Sequence, residues 1–146
     1  MKNAMSNAWR GDPYPIDTLM LCMANMAWNS SMNTSRVREM LTDKKEDGEY
    51  KIPFLIVCDT FHSETIAFAD IVLPDTTYLE RYDAMSMLDR PISEFQGPAD
   101  SVRVPVVPPK DECRPFQDVI VELGSRLKLP RSMNLAGTRH FTAYKA

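Results

Sequence analysis

Three groups of polar residues carry the types that hold a nucleotide or perform acid–base work. They are Asn25 with Asn29, Ser30, Ser31 and Asn33; then Cys58, Asp59 and Thr60; then Pro74, Asp75 and Thr76. Hydroxyls, amides and backbone N–H groups at a helix start suit phosphate oxygens, and a carboxylate accepts from ribose hydroxyls or the paired N–H donors of a guanine edge. The same residue types cap helices and form turns, so spacing alone leaves both roles open.

Other chemistry has weaker support. His62 and His140 are the only histidines and lie 78 positions apart; His62, just beyond Asp59, could act as acid or base, or simply sit at the surface. Glu64 and Glu80 could pair as carboxylates, although solvated helix faces use glutamate in the same way. Cys22, Cys58 and Cys113 have no C-x-x-C spacing for zinc or iron–sulfur ligation, and Cys22 and Cys58 read as small apolar strand residues. Trp9 and Trp28 read as core or interface anchors, and Met20, Met23, Met26, Met32 and Met40 as core filling rather than soft-metal ligands. There is no G-x-G-x-x-G, Walker loop or G-x-S-x-G elbow.

The elements that must position these groups follow from apolar pattern. Asn3–Arg10 forms one or two helical turns, which Gly11-Asp12-Pro13-Tyr14-Pro15 ends. Thr18–Met23 is a continuous apolar run, as in a strand covered on both faces. Thr34–Thr42 reads as a helix with Asn33 as N-cap and Val37, Met40 and Leu41 as its stripe, and Asp43–Lys51 is a charged turn around Gly48. Phe54–Val57 and Ile71–Leu73 are two more strands, with room for one compact helix between them. The order βαβαβ implies a parallel sheet whose ligands gather beyond the carboxyl ends of its strands. Further on, Val102, Val104 and Val106 alternate as an edge strand would, and Pro115–Lys128 is a helix with the stripe Phe116, Val119, Ile120, Leu123 and Leu127.

The 146 residues, 44% hydrophobic and 25% charged, suit one α/β domain spanning 1–146. A net charge of −3 gives no basic footprint for nucleic acid, and no segment approaches the roughly 20 apolar residues of a membrane span. The N-terminus lacks the apolar core of a secretory signal, so localisation is not indicated.

The run IVCDTFHSETIAFADIVLPDTTYLE, residues 56–80, resembles the third domain of molybdopterin oxidoreductases of the dimethyl sulfoxide reductase family. In that domain a strand, Asp, an aromatic and Glu-Thr-Ala precede Ala-Asp, two hydrophobics and Leu-Pro. MANMAWNSSMNTSRVREML and RPFQDVIVELGSRLKLP are similar to its flanking segments, so the likeness covers roughly 13–130, with the polysulfide, thiosulfate, tetrathionate and sulfite-oxidising branch nearest.

The resemblance implies a Rossmann-like open, mainly parallel sheet with helices on both faces, holding one guanosine arm of a bis-molybdopterin guanine dinucleotide. Carried over by position, Asn25 and Ser30 would contact phosphate or ribose, and Cys58, Asp59 and Thr60 would lie along the nucleotide. Met26 stands where the family usually has proline, in a loop one residue longer, so Asn25 and Asn29 compete for one role. Pro115-Phe116 replaces a carboxylate usual before the last helix. The parent enzyme would perform two-electron redox at molybdenum or tungsten, with its iron–sulfur cluster and metal ligand elsewhere in a longer chain. Its partners would be the remaining domains and an iron–sulfur electron-transfer subunit. No catalytic or metal-ligating residue is expected in this chain; a stand-alone nucleotide-binding or interaction module is the alternative, and a small enzyme using His62 and Asp59 a third.

Overall fold

The computed structural model describes residues 4–85 and 101–129, which belong to two compact units, Met1–Pro74 and Asp75–Ala146. In the first, helix α1 (Ala4–Arg10) leads to strand β1 (Thr18–Cys22), helix α2 (Thr34–Thr42), strand β2 (Phe54–Asp59), a 3-10 helix (Glu64–Phe68) and strand β3 (Ile71–Pro74). The strands lie in the order β1-β2-β3, all parallel, with Thr18 opposite Phe54, Cys22 opposite Cys58 and Asp59 opposite Pro74. The α/β class and open parallel sheet read from the sequence are therefore present.

The core is a continuous cluster. Met5 and Ala8 of α1, Val37 and Leu41 of α2, and Leu55 and Val57 of β2 pack together with Ile52. Leu55 and Val57 are two apart, so they share one face of the strand, and the spacing of Val37 and Leu41 places them on one face of α2. Burying each such aliphatic side chain contributes about 1.5–3 kcal/mol. Asn33 caps α2 through its side-chain oxygen, which accepts from the Arg36 N–H at 3.0 Å. The charged turn after α2 reverses at Gly48, whose φ of +88° suits glycine, and closes through a Lys44–Tyr50 bridge.

The connection between β2 and β3 is a 3-10 helix rather than a full α-helical segment. It must run back along the sheet within a dozen residues, and a 3-10 turn advances about 2.0 Å per residue against about 1.5 Å in an α-helix. Asp70 then starts β3: its carboxylate accepts the Leu55 N–H at 2.7 Å while its own N–H donates to the Leu55 carbonyl at 2.9 Å. A side chain thus extends the ladder by one rung.

The methionines divide. Met40 is buried, but Met32 is 93% exposed and Met23 half-exposed, because both stand on the loop beyond β1 rather than under it. Trp9 is half-buried, donates to the Asp43 carboxylate at 2.7 Å and has the Arg36 and Lys51 cations each over its ring, 4.6 Å from the centroid. Trp28 is 58% exposed.

In the second unit, β4 (Asp83–Met85) pairs antiparallel with β5 (Ser101–Arg103), and α3 runs from Phe116 to Arg126. The strand over Val102 ends at Arg103, so Val104 and Val106 lie beyond it and are exposed. Residues 104–109 carry Pro105, Pro108 and Pro109, and proline cannot donate to a ladder. The α3 stripe forms as a stripe, yet Ile120, Leu123 and Leu127 are exposed and, among the described residues of that helix, only Gly124 is buried. Periodicity specifies which face wants cover, not what supplies it.

Candidate functional site

The predicted polar residues of the first unit collect where the sheet rule places them. Beyond β1, the chain folds on Asn25, whose carbonyl accepts from the N–H groups of Trp28, Asn29 and Ser30 at 3.0–3.2 Å. Ser30 is exposed and its hydroxyl donates to the Asn29 side chain at 3.2 Å. Beyond β2, the Asp59 carboxylate accepts from the Phe61 N–H at 3.2 Å and the Ser63 hydroxyl at 3.0 Å, a turn that starts the 3-10 helix. An ionised carboxylate has roughly four acceptor positions, so two donors leave capacity for a ligand's N–H or O–H groups. Thr60 follows at the same edge, half-buried. Cys58 is 1% exposed, inside the strand, with its carbonyl accepting the Met23 N–H at 2.9 Å.

Asn25 is committed differently from its neighbours. Its side-chain oxygen accepts from the Thr65 hydroxyl at 2.7 Å and the Thr65 N–H at 3.2 Å, and its amide nitrogen donates to the Glu64 carboxylate. The Thr65 hydroxyl in turn accepts the Ala27 N–H at 2.9 Å, and Thr65 is fully buried. These bonds bring the loop after β1 and the loop after β2 to one edge. From sequence, Glu64 reads as a solvated or acid–base carboxylate, and Thr65 does not stand out. The available signal was a hydroxyl residue beside Glu64 on the connection between β2 and β3, where an unsatisfied loop N–H must find an acceptor.

His62 is exposed beside this edge. Asp59's described hydrogen bonds go to Phe61 and Ser63, which gives no support to a His62–Asp59 acid–base pair.

Of the third predicted cluster, Pro74 ends β3 in the first unit, whereas Asp75 and Thr76 belong to the second and are used internally. Asp75 is 2% exposed and accepts from the Thr76 N–H at 2.7 Å, the Phe116 N–H at 3.0 Å and the Arg81 guanidinium at 3.0 Å. Pro115 offers α3 no side-chain cap, and Asp75 supplies the missing carboxylate from 41 residues away. Glu80 is likewise occupied: hydrogen bonds from the Thr77 N–H and hydroxyl hold its carboxyl below the usual range. A cavity of about 450 Å³ in this unit is lined by residues including Glu80, Arg81, Tyr82, Val107, Gln117 and Asp118, and by none of the residues predicted to hold a nucleotide. Burial pushes the Asp118 carboxyl up, against the opposing charge of Arg114.

The family model of the molybdopterin oxidoreductases matches residues 17–126. The chain belongs to that family, and membership implies a molybdopterin cofactor with molybdenum or tungsten. Among its relatives, a sulfite dehydrogenase polypeptide of Allochromatium vinosum is 72% identical over 144 residues, covering 99% of this chain and 15% of the relative. The molybdopterin-containing polypeptide of the thiosulfate reductase of Salmonella typhimurium is 31% identical over 131 residues, covering 88% of this chain and 15% of the relative. The chain thus spans about 15% of the length of these two relatives. Acetylene hydratase from Pelobacter acetylenicus has a similar fold over 88% of this chain and 16% of its own, with a TM-score of 0.65 at 22% identity.

The donor set at this edge suits a ligand that carries phosphate and hydroxyl groups. Asn29, Ser30, Asp59 and Thr60 are hydroxyls, amides and a carboxylate at the carboxyl ends of parallel strands, the place and chemistry for phosphate, ribose and base edge.

Proposed function

We propose that this chain binds one guanosine arm of a bis-molybdopterin guanine dinucleotide within a longer molybdopterin oxidoreductase. The observation that carries the reading is the joining of the two polar loops, at the ends of β1 and β2, through Asn25 and Thr65. Ser30 and Asn29 face the phosphate and ribose, Asp59 accepts from the ribose hydroxyls or guanine N–H groups, and Thr60 lies alongside. Asn25 contributes through the turn its carbonyl organises, and Cys58 by packing beneath the edge.

When bound, the metal of the cofactor supplies two-electron redox chemistry; this chain's residues bind and orient the nucleotide end. The names of the sulfite and thiosulfate relatives favour a sulfur compound as the parent enzyme's substrate. The parent's other domains complete the cofactor site, its iron–sulfur cluster lies outside this chain, and an iron–sulfur electron-transfer subunit is its partner.

Isothermal titration with GMP or GDP tests the reading. Binding in the micromolar to millimolar range is expected, weakened about tenfold by Asp59→Ala and by Ser30→Ala, as removal of a hydrogen bond to a charged group implies. Absence of binding at millimolar nucleotide, or wild-type affinity in both variants, would overturn it.

A further inference from the structure

We infer that Glu64 and Thr65 form a clip that positions the loop after β1 for ligand, acting through Asn25 and Ala27 without touching the ligand themselves. The inference rests on the nucleotide reading above. Four hydrogen bonds join the two connections: Asn25 Nδ2 to Glu64, the Thr65 N–H and hydroxyl to Asn25 Oδ1, and the Ala27 N–H to Thr65 Oγ1. The partners are 38–40 residues apart in sequence, so no local preference of the loop produces them.

The hydroxyl of Thr65 is the centre of the arrangement. It has one donor and two acceptor positions, and it uses one of each, donating to Asn25 and accepting from Ala27. Thr65 is 0% exposed and Ala27 1%, so water has little access to either partner when the hydroxyl is lost. Ala27 is held from the other side as well, since its carbonyl accepts from Arg38 of α2 at 3.3 Å.

The clip matters because of what the loop carries. The Asn25 carbonyl gathers the Trp28, Asn29 and Ser30 N–H groups into one turn, and that turn presents the exposed Ser30 hydroxyl. A loop ordered before binding avoids the cost of ordering at the moment of binding. Glu64 and Thr65 are therefore positioning residues: they set where Ser30 stands.

The test compares wild type, Thr65→Val and Thr65→Ser in the cofactor-loaded enzyme. Two quantities are followed: amide hydrogen exchange over residues 26–30 and over α2, and the rate of guanine nucleotide loss, read as GMP freed by acid hydrolysis per polypeptide. Valine keeps the shape but not the hydroxyl. It is expected to speed exchange over 26–30 and nucleotide loss at least tenfold each, with α2 protection unchanged, and serine is expected to restore both.

Should Thr65→Val fail to fold, Asn25→Asp sets a second carboxylate against Glu64 at an exposed contact, and a smaller loosening of the same amides is expected with faster nucleotide loss. Wild-type nucleotide retention in Thr65→Val, or in Asn25→Asp where that variant replaces it, overturns the clip and leaves the nucleotide reading standing. Equal loosening of α2 reduces the role to general stability and also overturns it. Absence of guanine nucleotide from the wild-type enzyme overturns both.

Discussion

At Asp75 a single carboxylate closes three hydrogen bonds inside the second unit. It neutralises Arg81, holds the Thr76 N–H and caps α3 at Phe116. Both charged partners are buried, so removing one leaves the other without its main counter-charge. Asp75→Asn is expected to cost about 3 kcal/mol, measured as a lowered denaturation midpoint of the second unit, because Asp83, the other carboxylate near Arg81 among the described residues, lies at a longer 3.5 Å. Asp43 offers a pH-dependent counterpart in the first unit. Hydrogen bonds from Lys51 and Trp9 hold its carboxyl below the usual range, so the ionised form is the one the fold favours. A depressed pKa means that this contribution is complete above the unfolded value and lost as pH falls through the folded one. With Trp28→Phe leaving Trp9 as the sole indole, Trp9 emission should be constant from neutral pH to about 4 and change below it. Asp43→Asn should abolish that titration.

At the scale of elements, β1, α2, β2 and β3 were readable to within a residue or two, because each is a short apolar run or stripe bounded by a cap or turn. Asn33 is the clearest case: residue type and position both indicate a cap, and its side chain makes the capping bond. Asn33→Ala is expected to destabilise the first unit by about 1 kcal/mol in urea denaturation, since the Arg36 N–H then has no side-chain acceptor. Less was readable where context decides geometry. The connection after β2 is a 3-10 helix because few residues must span the sheet, and the alternation at Val102, Val104 and Val106 ends early among prolines. The polar groups around Asn25 and Asp59 were visible as candidates, but not which of them face outward and which hold the loops together.

For the molecule as a whole, the sequence by itself determined the α/β class, the parallel order of the first unit and the family. Apolar period, capping residues and the run from Ile56 to Glu80 are local properties that survive without coordinates. Only the tertiary structure decided the allocation of polar groups. It committed Asn25 to Thr65 and Glu64, Glu80 to Thr77, and Asp75 to Arg81 and the start of α3, while leaving Ser30 exposed and Asp59 with acceptor capacity. The physical reason is that a hydrogen-bond partner 38–41 residues away is chosen by how strands and crossovers bring loops together, and buried N–H groups must be satisfied by whatever acceptor arrives there. Residue type announces that a side chain can bind; packing determines whether it is already bound.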